Sequence, residues 1–485
     1  MTGIVQEFDE YEQAGCLGPE CMTQLAVVDL NSLLLVGSGS VAPTLLDPPG
    51  DPAAAQAYFE SREGMLVSLP VTGTVVGPTS FGTVTVIPGD EGVTRVFRNT
   101  PYEGMPFSVR HYERFGEIGG VDPPNLLTGS VIEPAAGPLA FSYGSYLLTT
   151  QAGMPWTVIT AAPLPAEEPT WPAPSGPAFT VVTFNTENFD NPAEPKMDKL
   201  VRTIINTNGP TFLALEEVDV AAIMGTLLAR LNNAGYASGY ANSAPDAGGH
   251  GIALLWRADR VTQVSWSIDY QGCSPVGSTS STSDPLWEYC RSLGEYPLFS
   301  RRPVVLTGTV ALGDQSRPVV VVANHFKSKL GGAPSDQRRL EQGQFVAALV
   351  GSLIAHGSPR VVVMGDLNDY EDSPPLQALY AGGHLTSTWY TLPAEARYSY
   401  IFRGVSQVLD HVLVSPALAG WLQAFAPLHS NADFPYLPYT YQSSNVWPDR
   451  IMTRRLGRLL TRPGSTEFMC LFFSGLKAVV LLLTY

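Results

Sequence analysis

The sequence predicts an α/β domain preceded by a β-rich one. Three observations carry this. Up to residue 160, short apolar runs are separated by Gly/Pro turns and no helical period is sustained. From residue 178 to about 450, strand-like runs alternate with helical spacings. Between them lies the Pro-rich stretch 161–177, the composition of a semi-rigid linker.

The first part carries apolar runs at 64–69, 73–76, 82–87 and 146–149, which suit a small barrel or sandwich. No catalytic constellation is visible there, and His111 stands alone, which reads as a surface or packing residue. In the second part, strand 179–184 ends at Asn185 and helix 197–206 follows. Strand 212–215 ends at Glu216 and Glu217, and helix 221–231 comes next. Strands at 252–256, 304–310 and 319–323, a helix at 340–354, and strands at 361–364 and 408–414 complete the pattern.

The stretch 361–369, Val-Val-Val-Met-Gly-Asp-Leu-Asn-Asp, organises the second part. Its apolar run reads as a buried central strand. Gly365 ends it with a turn that needs no Cβ, and Asp366 and Asn368, two residues apart, can share one face. Taken alone this reads as an Asp/Asn-rich turn. The same placement recurs, however: Asn185, Glu217, His325, Asp366, Asn368 and Asp410 each sit within or just after a strand, most at its carboxyl end. Such side chains can converge on one cleft.

Composition bounds the chemistry. The chain has 485 residues, 45% hydrophobic, with a net charge of −16 from 28 Lys+Arg against 44 Asp+Glu. That balance argues against a passive nucleic-acid binder, but not against an enzyme that meets phosphates through a metal ion and a local basic patch. Cys16 and Cys21 are close in sequence, Cys273 and Cys290 bracket a Ser/Thr/Gly-rich loop, and Cys470 is left over. Two local pairs suit disulfides in an oxidising compartment better than a metal site. No signal peptide opens the sequence, and its mid-strand start suggests N-terminal truncation of a secreted protein.

The residue types then assign themselves. Glu217 can bind a hard cation through oxygen, and Asn185 can complete its shell or orient a phosphate oxygen. Such a metal would polarise a scissile phosphate. His325, in Asn-His-Phe-Lys-Ser-Lys with Lys327 and Lys329, can donate to a phosphate oxygen or act as acid or base. Asp366 and Asn368 add a metal or water contact and a phosphate donor. Asp410 suits the acid of a His–Asp pair; His411 is a poor partner for it, because consecutive strand residues face opposite ways.

With these motifs in hand, the chain resembles the endonuclease/exonuclease/phosphatase superfamily, the deoxyribonuclease I-like fold. The matching segments are Phe-Asn-Thr-Glu-Asn-Phe-Asp (184–190), Leu-Glu-Glu-Val-Asp (215–219), Asn-His-Phe-Lys-Ser-Lys (324–329), Gly-Asp-Leu-Asn-Asp (365–369) and Leu-Asp-His-Val-Leu-Val (409–414), in the family's order. It looks most like the large secreted bacterial endonucleases, in which an OB-like domain precedes the nuclease domain; Tyr-Phe-Glu-Ser-Arg-Glu-Gly-Met-Leu-Val (58–67) looks like that domain's signature. The resemblance implies a four-layer α/β sandwich and hydrolysis of DNA, or of RNA, with Mg²⁺, Mn²⁺ or Ca²⁺. It places Asn185 and Glu217 at the metal, His325 as phosphate donor or acid, Asp366 and Asn368 at the reacting centre, and Asp410 behind a second histidine. Arg301 or Arg302 resembles a substrate-contacting arginine, with Lys327 beside the phosphate. A sphingomyelinase, a phosphoinositide or phosphomonoester phosphatase, or a non-catalytic binding module are the rival readings.

The sequence departs from the family at its end. The second histidine is expected in a Ser-Asp-His-x-Pro motif on the final strand, yet no histidine follows His429. Residues 449–456 can be encoded by a string that, read one base out of phase, gives Ser-Asp-His-Asp-Pro-Ala-Val. The expectation is therefore a frameshift near 446–450, an aberrant tail over 450–485, and a nuclease domain (178–449) without its last core strand and second histidine, hence inactive or crippled. The apolar stretch 468–485 contains Lys477 and is short for a membrane span, so no stable membrane insertion is expected.

Overall fold

The computed structural model describes residues 3–8, 22–27, 37–80, 83–111, 126–142, 144–150, 157–163, 171, 176–192, 195–276, 286–429, 432–434 and 477–484. Cys16, Cys21, Cys470, most of the linker and residues 450–476 lie outside them. The chain divides into two compact units, one built mainly from residues 1–165 and one mainly from 166–432 with the end of the chain.

The second unit carries the predicted site. In chain order its main elements are β1 (Ala178–Phe189), α1 (Pro195–Asn206), β2 (Phe212–Val218), α2 (Val220–Asn233), β3 (Ser238–Asn242), β4 (Gly251–Arg257), β5 (Val261–Ser267), β6 (Val304–Leu312), β7 (Gln315–His325), α3 (Gly332–Ala355), β8 (Val361–Asp366), α4 (Pro374–Tyr380), β9 (Thr386–Ser387), β10 (Asp410–Val414), β11 (Leu422–Pro427) and β12 (Lys477–Thr484). They form two six-stranded sheets, ordered β3-β4-β2-β1-β12-β11 and β5-β6-β7-β8-β10-β9.

Side-chain alternation builds four layers from these sheets. Phe179 and Val181 of β1 join Val362 and Met364 of β8 in the core between the sheets. Val182 and Phe184 turn the other way, onto Leu200 and Ile204 of α1 and Leu227 of α2. Val361 and Val363 likewise turn onto Val346 and Val350 of α3 and Leu376 of α4. Strands buried on both faces read as continuous apolar runs, which is why β1 and β8 were legible. The result is the expected four-layer α/β sandwich.

One expectation is corrected. The core does not lack its closing strand: β12, from the tail, runs antiparallel between β1 and β11. Val479, Leu481 and Leu483 face the inter-sheet core, and Val480 faces the helices. The run Val-Val-Leu-Leu-Leu is apolar on both faces, which is what a central position requires. Among the described residues no helix is long and apolar enough to cross a membrane.

Cys273 and Cys290 form a disulfide across the excursion between β5 and β6. Closing a loop of that size contributes about 3 kcal/mol in a chain-entropy estimate.

The first unit is β-rich as expected, with a nine-stranded sheet whose longest member is Gly73–Ser80. It also contains a helix that the sequence reading missed, Pro52–Glu60. Asp51 caps it by accepting from the Ala54 amide, and Pro52 sits where its missing N–H costs nothing. The segment 58–67 covers the end of this helix, a turn at Gly64 (φ 76°), and the next strand. Phe59 stacks on Tyr146 at 5.2 Å in the core.

Candidate active site

Strand register brings the polar termini to one level. In the first sheet β1 and β2 run parallel with Asn185 opposite Glu216. In the second, β7 and β8 run parallel with His325 opposite Asp366, and β10 runs antiparallel with Asp410 opposite Asp366. Gly365 lies opposite Asn324, and a Cβ there would sit 1.8 Å from the Asn324 carbonyl oxygen at a φ of 138°. Only glycine permits that approach.

Asn185 joins the two sheets. Its Nδ2 donates to Glu217 Oε1 at 2.9 Å and to Asp366 Oδ2 at 2.9 Å. Its Oδ1 accepts from the Glu187 amide at 2.8 Å. Asn185, His325 and Asp366 are buried, whereas the Glu217 side chain keeps 23% exposure. His325 Nε2 lies 3.6 Å from Glu217 Oε1. Glu217 Oε2 accepts from the Asn188 amide at 3.1 Å. Asp366 Oδ1 accepts from the Asn368 amide at 2.8 Å, and Asn368 Nδ2 donates to the Phe326 carbonyl at 3.1 Å.

The backbone here is bent to purpose. Glu187, Asn188, Glu217 and Asn368 all adopt left-handed φ values, between 49° and 57°. Each costs roughly 1–3 kcal/mol and persists only where its surroundings hold it. Lys196 supplies one such restraint, donating from Nζ to the carbonyls of Thr186 and Glu187.

Asp410 is fully buried and accepts from Ser399 Oγ at 2.6 Å. The hydroxyl of Ser399 thus meets the carboxylate expected to orient a histidine. His411 faces away, as strand geometry dictates, and bonds through Nε2 to the Asp369 carbonyl at 2.8 Å. Burial pulls its pKa down to about 4, so it is neutral near pH 7.

The basic residues are distributed differently from expectation. Lys327 turns its Nζ back onto Ser328 Oγ and the Leu330 carbonyl, and its pKa is lowered by burial and by nearby Arg301, Arg339 and Arg338. Arg301 pairs with Asp246 at 3.0 Å, and Arg302 is buried. Lys329 holds Asp369 at 2.7 Å, and the fully buried Arg339 binds the other oxygen of that carboxylate at 2.7 Å. Burial alone would raise the Asp369 pKa, but these two donors outweigh it and hold it low.

Glu216 was passed over in favour of its neighbour. It is fully buried, and Thr183 donates to its Oε1 at 2.7 Å. Burial, with Asp410 and Asp366 nearby, drives its pKa well up against the lowering effect of Thr183. It is a buried carboxyl beneath the site, and its Glu-Glu sequence signal did not separate the two roles.

The donor set fits a hard divalent cation. Glu217 and Asp366 converge on one amide, and every convergent acceptor is oxygen. Among the described residues no three His, Cys, Asp or Glu side chains enclose an ion by themselves. An open site with one or two carboxylates leaves the remaining positions of such a cation to water and phosphate.

Residues 182–424, half of the chain, match the model of the Endonuclease/Exonuclease/phosphatase family. No curated protein matches. Solved structures similar to the chain include the human nocturnin catalytic domain with bound sulfate, at 13% identity over 64% of this chain and 95% of that one, TM-score 0.39. They also include D. rerio TDP2 complexed with single-strand DNA product, at 13% over 64% and 99%, TM-score 0.38. A Bacteroides thetaiotaomicron mannosyl-6-phosphatase matches at 15% over 51% and 87%, TM-score 0.32. Members of the matched family hydrolyse phosphodiesters or phosphate esters and generally depend on a divalent metal. The chain belongs to the Endonuclease/Exonuclease/phosphatase family.

Proposed function

We propose that this protein is a metal-dependent phosphodiesterase, an extracellular endonuclease that hydrolyses DNA and, by the same chemistry, RNA. The observation that carries the reading is the Asn185 amide, which ties Glu217 of one sheet to Asp366 of the other beside His325. The OB-like assignment of the first unit and its role as a nucleic-acid accessory are part of the same proposal. The Cys273–Cys290 disulfide supports an oxidising, extracellular setting.

Glu217, with Asn185 and Asp366, would hold the cation. When bound, the cation would polarise the phosphate and offset charge on the leaving oxygen. The chain's own residues do the rest. Asp366, each of whose oxygens accepts a hydrogen bond, accepts the proton of the attacking water. Asn368 steadies that carboxylate through its amide. His325 Nε2 faces the same space and donates to a phosphoryl oxygen. The chain has no histidine after His429, so the turnover expected is ~10²–10⁴-fold below that of a relative with a second acid–base group.

The test incubates the purified chain with supercoiled plasmid, with sphingomyelin and with a phosphomonoester, each with Mg²⁺ and with EDTA. Plasmid nicking that EDTA abolishes is the expected result. Release of phosphocholine or inorganic phosphate without nicking would assign a different substrate class. Metal binding without any hydrolysis would favour a binding module.

A further inference from the structure

Two tyrosines stand at the rim of this site without a part in the chemistry described. Tyr370 follows Asp369, two residues after Asn368, and is half-buried. Lys329 Nζ lies 4.1 Å from its ring centroid while bonded to Asp369. Tyr390 is 48% exposed. It is nevertheless fixed, because its hydroxyl donates to the Glu371 carbonyl at 3.1 Å. Its neighbour Trp389 is fully buried and donates from Nε1 to the Asp410 carbonyl at 2.8 Å. Arg397 lies 5.3 Å from the Tyr390 ring centroid.

Tyr390 is thus anchored through its hydroxyl to the loop after β8, the loop in which Tyr370 stands, and its neighbour Trp389 is tied to β10. Each tyrosine has a cation over one face of its ring, Lys329 for Tyr370 and Arg397 for Tyr390. Packing alone does not account for the exposed ring of Tyr390, since the hydrophobic work at that turn is done by Trp389, which meets Phe425 edge-on at 5.0 Å. A rigid aromatic ring backed on one face by a cation is an arrangement that stacks a nucleobase on its other face.

We infer that Tyr370 and Tyr390, backed by Lys329 and Arg397, form a base-stacking rim that holds nucleobases flanking the scissile phosphate and directs the enzyme to single-stranded nucleic acid. A duplex keeps its bases stacked on one another and offers no free face, so single strands and unpaired ends are favoured. This inference rests on the nuclease reading above.

The experiment compares the wild type, Tyr370→Leu, Tyr390→Leu and Tyr370→Phe on a single-stranded oligonucleotide and on one of equal length made of abasic residues. Near-ultraviolet circular dichroism checks the fold of each variant. Each leucine variant is expected to raise KM on the normal oligonucleotide by about tenfold, with kcat little changed and no change on the abasic strand. Tyr370→Phe is expected to behave as wild type. Anisotropy of a fluorescein-labelled oligonucleotide in EDTA reads the same loss as weaker binding, without turnover. Equal losses on both strands, or no loss on either, would overturn the inference while leaving the nuclease reading intact. A wild type that neither cleaves nor binds nucleic acid would overturn the nuclease reading, and the stacking rim with it.

Discussion

The two sheets of the catalytic unit hold their acids in opposite ways. In the second sheet Asp366, Asp369 and Asp410 are all buried, and each has dedicated donors: Asn185 and the Asn368 amide, Lys329 and Arg339, and Ser399. In the first sheet Glu217 remains partly exposed on a left-handed backbone, while Glu216 beside it is buried and its pKa is driven up. The second sheet is a fixed scaffold of charge. The first offers one open carboxylate, where a cation and its phosphate can enter. Asn185 is the joint between them, which is why a single amide matters more here than either acid's neighbours.

Breaking the fixed side at the reacting carboxylate should have the largest effect. Asp366→Asn is expected to lower kcat by roughly 10³-fold while retaining the fold, as read by nuclease assay and circular dichroism, because it removes the proton acceptor and keeps the shape. Breaking the same side at its buried ion pair should cost stability instead. Arg339→Met removes one of the two cations on a buried carboxylate and leaves Lys329 in place, and equilibrium denaturation should show a loss of about 1–3 kcal/mol.

The buried histidine sharpens the comparison through pH. His411 has a folded pKa of about 4 against an ordinary value of 6.5. Between those values the unfolded chain binds the extra proton, so stability falls as pH drops from 6.5 towards 4 and levels off below. The fall attributable to His411 is about 3 kcal/mol, and His411→Asn should flatten it in denaturation curves taken across that window. The smallest effect belongs to Glu216. Glu216→Gln keeps an acceptor for Thr183 and mimics the protonated carboxyl that burial favours, so stability at a pH below the ordinary carboxyl value should change by less than about 1 kcal/mol. Its raised pKa means that the wild type loses stability as pH rises above the ordinary carboxyl value, and the variant should not.

Much of this was legible in the sequence because both sheets are built from strands buried on two faces. Their apolar runs stop abruptly at Asn185, Glu217, His325 and Asp366, and the stop marks the site. What escaped depends on distant pairing. The role of β12 is set by the vacant position between β1 and β11, which no local pattern announces. Arg339 looks in sequence like a solvated helix residue, and its contacts with Asp369, thirty residues on, and with the Ser328 carbonyl make it a buried charge. Helix Pro52–Glu60 is short, and its signal is one cap and one proline. Tyr370 and Tyr390 are twenty residues apart, and Tyr390 meets the loop after β8 through the Glu371 carbonyl, a relation that spacing does not encode.

The central claim is that the Asn185–Glu217–Asp366 cluster is a cation-dependent hydrolytic centre. The most direct measurement is plasmid nicking by the intact chain across a Mg²⁺ titration, with Glu217→Gln as the matched control. Nicking that rises and saturates with Mg²⁺, and that the variant loses at every concentration below saturation, is the predicted result. Nicking unaffected by EDTA, or unchanged in Glu217→Gln, would contradict it.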